Sequence, residues 1–168
     1  KLDSEILLAK ILNKKREELL VNLDHKVSPQ IIGDFEKLIA RRSTKEPIAY
    51  IMEEKEFWSK NFFVNKSTLI PRPETELMVE KIVNIFKKKI INILDIGTGT
   101  GCILLSILGE LKGSHGTGID ISKKAIQVAI KNSVKHKLNH QAKFYKKSFT
   151  EIYNSKFDLI VSNPPYIR

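Results

Sequence analysis

The sequence predicts a doubly wound α/β domain preceded by a small helical domain and a β-hairpin. Three observations carry this. From Ile90 onward, short apolar runs alternate with helical periodicity. The first of these runs opens directly into a glycine-rich turn, Gly97-x-Gly99-x-Gly101. Residues 4–42, by contrast, show helical spacing throughout. Strands alternating with helices imply parallel βαβ units, and a glycine turn between strand and helix marks the crevice where such sheets bind ligands.

The elements follow in order. "SEILLAKIL" sets Ile6, Leu7, Ala9 and Ile11 in helical register, with Asp3 or Ser4 as the expected cap. "SPQIIGDFEKLIARR" starts a further helix with Ser28 at the N-cap and Pro29 at its first position, and puts Ile31, Ile32, Phe35, Leu38 and Ile39 on one face. "EFWSKNFFVN" reads as two short strands broken at Ser59-Lys60-Asn61, a hairpin. Pro71 and Pro73 hold the chain extended around Arg72 before a helix that has Glu74 and Glu76 at its positive end and Lys87 to Lys89 at its negative end. Then come a strand ("IINILDIG"), a helix at 101–111, a strand ending in "TGID", a helix at 122–137 capped by Ser122, and the strands "AKFYK" and "FDLIVS". Domains are expected at 1–45, 46–73 (a linker with the hairpin) and 74–168.

The formal charge of +10 invites an anionic partner. Only Arg16, Arg41, Arg42, Arg72 and Arg168 are arginines, and the remaining positive charge is lysine scattered over the chain, the pattern of a solvated surface. Direct nucleic-acid binding is therefore not expected. Cys102 is the single cysteine, so no disulfide forms within the chain, as suits a reducing cytoplasm. No apolar run approaches the ~20 residues of a membrane span, so no membrane partner is expected.

The glycines of "LDIGTGTGCI" allow a tight turn and close approach of the backbone to a ligand, and the helix behind them offers its N–H groups. A nicotinamide-binding turn would place its third glycine where this chain has Cys102. Asp95 stands just before the turn; its carboxylate repels a pyrophosphate but suits a ligand with an amino group, such as the methionine part of S-adenosyl-L-methionine. Asp120, ending the second strand, can accept both ribose hydroxyls of a nucleoside. Cys102 reads as a small core residue rather than a nucleophile, and His136 and His140 as surface residues, so no metal site is expected.

"SNPPY" closes the fourth strand of the sheet. The prolines Pro164 and Pro165 stiffen the backbone and remove two N–H donors, leaving the Pro164 carbonyl and the Asn163 side-chain oxygen as fixed acceptors for one –NH2 group. Tyr166 offers a flat face for a planar group to stack on. An amide nitrogen is a poor nucleophile, and gripping its hydrogens orients it towards a methyl sulfonium, so Asn163, Pro164 and Tyr166 are the candidate catalytic residues.

Taken together, "LDIGTGTG", "GIDIS" and "VSNPPYI", with "TLIPRPETE", "EFW" and "EPIAYI" upstream, resemble the HemK/PrmC family of release-factor glutamine methyltransferases over nearly the whole chain. The resemblance implies a Rossmann-like methyltransferase sheet and S-adenosyl-L-methionine as cofactor, held by Gly97, Thr98, Gly99, Thr100, Gly101 and Asp120 with Asn163 near both ligands. It implies that Asn163, Pro164, Pro165 and Tyr166 hold the glutamine of the Gly-Gly-Gln loop of peptide chain release factors, and that the helical domain contributes to recognising that partner. The chain departs from the family at Lys147 and Ser148, which stand where an acid and a large residue bind adenine; Ser148 can offer the cofactor one hydrogen bond. Family members continue beyond this motif with further strands. The chain is accordingly expected to be part of a longer protein, with an incomplete sheet and little activity alone. Two other readings stay open here: a nucleic-acid methyltransferase acting on an exocyclic amine of adenine or cytosine, and a non-catalytic binding module.

Overall fold

The computed structural model describes residues 2–21, 26–153 and 155–164, which form two compact units, residues 1–53 and 54–168.

The first unit is helical: α1 (Leu2–Ile11), α2 (Arg16–Val21), α3 (Pro29–Ser43) and α4 (Ile48–Met52). Leu7, Ala9, Ala49 and Ile51 are its buried apolar residues. Ser28 caps α3 by accepting from the Ile31 N–H, with Pro29 in the first turn, as the sequence predicts. The expected cap of α1 does not hold. The helix already runs at Leu2, and Asp3 instead accepts from the Arg42 guanidinium at 2.6 Å, tying α1 to α3. Ile31, Phe35, Leu38 and Ile39 are half-buried, whereas Ile32 is exposed.

The second unit begins with an antiparallel hairpin, β1 (Glu54–Phe57) and β2 (Lys60–Phe63). Its turn is Trp58-Ser59, not the expected Ser59-Lys60-Asn61. Phe57 pairs with Lys60, and both turn residues have φ of 52°, the left-handed pair of a type I′ turn. Neither residue favours that conformation, and the rest of the fold imposes it. The Trp58 backbone N–H donates to Glu76 at 2.9 Å, and its indole N–H to Glu110 at 3.0 Å. Period-two alternation turns Phe57 and Phe62 inward, where their rings meet edge to face.

A short turn at Pro73–Thr75 leads into α5 (Glu76–Ile85). Four parallel strands follow: β3 (Asn92–Ile96), β4 (His115–Asp120), β5 (Ala142–Lys146) and β6 (Leu159–Ser162), in the spatial order β5-β4-β3-β6. Between them lie α6 (Cys102–Glu110) and α7 (Lys123–Lys135), the latter capped by Ser122 as expected. All residues of α6 from Cys102 to Leu108 are buried, and the helix packs with Phe57, Phe62, Val79, Ile82 and Ile93 into one core. No helix among the described residues is long and apolar enough to cross a membrane.

Asn132 of α7 is fully buried and pairs with backbone on three sides. Its Oδ1 accepts from the Phe63 N–H at 2.7 Å; its Nδ2 donates to the carbonyls of Phe63 at 3.0 Å and Thr100 at 2.9 Å. One side chain thus ties the end of the hairpin to the glycine-rich turn. Asn132→Ala leaves these backbone groups buried without it and is expected to destabilise the fold by about 2–4 kcal/mol. Urea unfolding measures this, and a change below about 0.5 kcal/mol, the range of neutral surface substitutions, would contradict the clamp.

Candidate active site

The strand order creates the site. The chain moves outward from β3 through β4 to β5, then returns to place β6 on the other side of β3. Neighbouring connections therefore leave β3 in opposite directions and open a crevice at its carboxyl end. Register fixes what meets there. Ile96 pairs with Ser162 on one side and Ile119 on the other, so Gly97 emerges between Asn163 and Asp120. The Ser162 hydroxyl donates to the Ile96 carbonyl at 3.0 Å and secures this end of β6.

Gly97, Gly99 and Gly101 all have positive φ, of 71°, 54° and 77°, so each needs the conformational freedom of glycine. Their surroundings differ. A Cβ on Gly97 would meet nothing within 4 Å, whereas one on Gly101 would lie 3.3 Å from Ala129, Leu105 and Phe144. Gly97 borders open space, and Gly101 lets α6 pack closely.

The turn's own amides are mostly engaged within the protein. They are not all offered to a ligand. The N–H groups of Gly97 and Thr98 both donate to the Ile119 carbonyl at 2.9 Å, that of Gly101 to the Thr98 carbonyl at 2.8 Å, and that of Cys102 to the Thr100 hydroxyl at 3.3 Å. Gly99 donates to Asp120 Oδ2 at 3.1 Å, while Asp120 Oδ1 accepts from Ser122 at 2.8 Å. Each carboxylate oxygen keeps acceptor capacity beyond one bond. A turn with most of its amides engaged and two carboxylates beside it disfavours phosphate and suits a hydroxylated or cationic ligand.

Asp95 is 1% exposed; its Oδ2 accepts from the Thr98 hydroxyl at 2.7 Å, and its Oδ1 is buried with no hydrogen-bond partner. Burial, reinforced by the charge of Asp120, pushes its carboxyl up to about 6 against the opposing Thr98 bond. Burial likewise pushes the Cys102 thiol up to about 12, so this cysteine is a core residue and not a thiolate. The His136 ring lies tilted against Phe62 with centroids 4.6 Å apart, and burial holds its imidazole below the usual histidine range. No cluster of three metal-ligating side chains occurs among the described residues.

On the other wall, Asn163 is half-buried and its Nδ2 donates to the Thr75 hydroxyl at 3.1 Å. Leu69 to Arg72, Thr75, Gly97 to Thr100 and Asn163 line a common crevice. Sequence reasoning missed Thr75; its place within "IPRPETE" was the available signal. Pro164 is exposed. Pro165 and Tyr166, the other half of the expected substrate grip, lie outside the described residues. Ser148 is not among the residues lining the crevice and opens a short 3-10 turn. It accepts from Thr150 N at 3.3 Å, while its own N–H donates to Glu151 at 2.6 Å. The Lys147 N–H donates to the Asp120 carbonyl at 3.1 Å, which holds this turn beside the end of β4.

The sheet order and the glycine turn flanked by Asp95 and Asp120 define the fold of the S-adenosylmethionine-dependent methyltransferases. A structure of such an enzyme from Agrobacterium tumefaciens superposes over 67% of this chain and 39% of its own, with a TM-score of 0.56 at 21% identity. Residues 87–166 match a methyltransferase domain, and residues 1–52 match the PrmC N-terminal domain. In these two segments the chain is similar to the PrmC family of methyltransferases. It is 43% identical over 174 residues to a release factor glutamine methyltransferase of Leptospira interrogans, covering 99% of this chain and 60% of that protein. It is 41% identical over 186 residues to a bifunctional methyltransferase of Rickettsia typhi, covering 99% of this chain and 36% of that protein. The chain thus spans between about a third and three fifths of the length of these relatives.

Proposed function

We propose that this protein transfers a methyl group from S-adenosyl-L-methionine to the side-chain amide nitrogen of the glutamine in the Gly-Gly-Gln loop of a peptide chain release factor. The observation that carries this reading is the register that sets Asn163 beside Gly97 at the crevice. An acceptor of amide hydrogens there adjoins a turn unsuited to phosphate. The similarity to release factor glutamine methyltransferases supports the choice of substrate. A release-factor substrate places the reaction in the cytoplasm.

In this reading Asp120 takes the ribose hydroxyls, and the backbone of Gly97 to Gly101 with Thr98 and Thr100 shapes the floor of the cofactor site. We assign Asp95, buried behind the turn, to the ammonium through its charge. We assign the turn at Ser148, which the bond from Lys147 to Asp120 keeps beside the end of β4, to the adenine. The cofactor supplies an electrophilic methyl on a sulfonium, and the amide gives up a proton to water once its nitrogen is alkylated. The chain's own task is positioning. We assign the two amide hydrogens to Asn163 Oδ1 and the Pro164 carbonyl, and give Pro165 and Tyr166, outside the described residues, to the same grip. Fixing the nitrogen in line with the methyl removes most of the entropic barrier.

The test is transfer of labelled methyl to three acceptors: a release factor, the same factor with its Gly-Gly-Gln glutamine replaced by alanine, and single-stranded DNA. Label on the first alone supports the reading. Label on DNA adenine or cytosine alone would overturn it in favour of a nucleic-acid enzyme.

Asp95 gives the cofactor site a pH dependence. A carboxyl with a raised pKa of about 6 is protonated below that pH, and an ammonium beside it stabilises the ionised form. Binding must then release a proton at low pH. Cofactor affinity is expected to be flat above about pH 6 and to fall up to about tenfold per pH unit below it. Calorimetry in buffers of different ionisation enthalpy reads the proton release, and an affinity independent of pH down to 5 would remove Asp95 from the site.

A further inference from the structure

We propose that Thr75 is a positioning residue for methyl transfer, holding the Asn163 amide in the orientation that presents its oxygen to the substrate. The proposal rests on the reading above, in which Asn163 accepts the amide hydrogens of the substrate.

The bond from Asn163 Nδ2 to Thr75 Oγ1, at 3.1 Å, joins residues 88 positions apart. An amide group has a donor end and an acceptor end on the same carbon. Fixing the nitrogen on Thr75 turns the oxygen away from it. The reverse orientation would set an –NH2 group against the substrate's own –NH2, donor against donor.

Thr75 is itself held by its surroundings. It ends the short turn Pro73–Thr75, and its N–H donates to the Arg72 carbonyl at 3.1 Å. Pro73 presets the backbone of that turn. The following helix α5 buries Val79 and Ile82 in the core beside α6. The hydroxyl that meets Asn163 therefore sits on an element anchored in the core by its own helix.

The pair also stands between two depressions. Leu69, Arg72, Thr75 and Asn163 border both the crevice over the glycine turn and a second one bounded by Glu74 and Met78. Thr75 thus acts where an acceptor must be aligned with the methyl donor, and it touches neither reacting atom.

The experiment measures kcat, KM for the release factor and cofactor Kd for Thr75→Val, Thr75→Ser and Asn163→Ala, and for Thr75→Val in the Asn163→Ala background. Thr75→Ala is the second variant where valine disturbs the turn. Thr75→Val is expected to lower kcat by about 10- to 100-fold, the scale of misplacing a reacting group, with cofactor Kd unchanged. Thr75→Ser restores the rate, because its hydroxyl still accepts. In the Asn163→Ala background the threonine change has no further effect, since the two act as a unit. Wild-type kcat in Thr75→Val together with an impaired Asn163→Ala overturns the role of Thr75 and leaves the transfer site standing. Full activity of Asn163→Ala overturns both. A kcat loss in Thr75→Val that serine does not restore, or that is undiminished in the double variant, assigns Thr75 to structure alone and also overturns the proposal.

Discussion

Asn163→Ala is expected to lower kcat by about 10²–10³-fold, the scale of losing one preorganised polar contact to a reacting group. The fold and the cofactor affinity are expected to hold. Asn163 lies just beyond β6, past the last paired residue Ser162, and is half-buried, so its side chain is not part of the core. What it offers is an acceptor fixed beside Gly97. A glutamine amide carries little nucleophilicity while its lone pair is delocalised, and a grip on its hydrogens that tightens as nitrogen pyramidalises stabilises the transition state more than the ground state. The loss should therefore fall on kcat rather than KM. Asn163→Asp keeps two accepting oxygens and is expected to retain part of the rate. A kcat within twofold of wild type for the alanine variant would remove the role given to this residue.

Asp120→Ala is expected to weaken cofactor binding by about 1.5–3 kcal/mol, roughly 10- to 150-fold, the cost of losing hydrogen bonds to a charged group. The structure adds a second reason for a large effect. The same carboxylate accepts from Gly99 and Ser122, so it holds the glycine turn to the start of α7. Alanine removes both the ribose acceptor and that brace. Asp120→Asn retains a carbonyl oxygen for one of the two backbone donors and is expected to lose less. Isothermal titration with S-adenosylmethionine measures both variants, and an unchanged affinity in Asp120→Ala would contradict the assignment.

Much of this arrangement was legible because it is written in local chemistry. Ser28 and Ser122 cap helices through their own side chains, and the alternation of apolar strand and helix from Ile90 onward needs no distant partner. The residues that reasoning misplaced are those governed by distant partners. Trp58 and Ser59 have no turn chemistry of their own; Glu76 and Glu110, far along the chain, hold Trp58 in a left-handed turn. Asp3 does not cap α1 because Arg42 pairs with it. The pairing of the Gly97 and Thr98 amides with the Ile119 carbonyl on the neighbouring strand likewise has no local signal. Asn132 carried no motif signal and Thr75 only its place within "IPRPETE"; their contacts, with Phe63 and Thr100 in one case and Asn163 in the other, give them a role.

Tandem mass spectrometry of a release factor, incubated with the protein and isotopically labelled S-adenosylmethionine, tests the central claim most directly. The account predicts one added labelled methyl, located on the side-chain nitrogen of the Gly-Gly-Gln glutamine, and its loss with the Asn163→Ala variant. A release factor left unmodified by an enzyme that methylates another acceptor, or a label on any other residue, would contradict it.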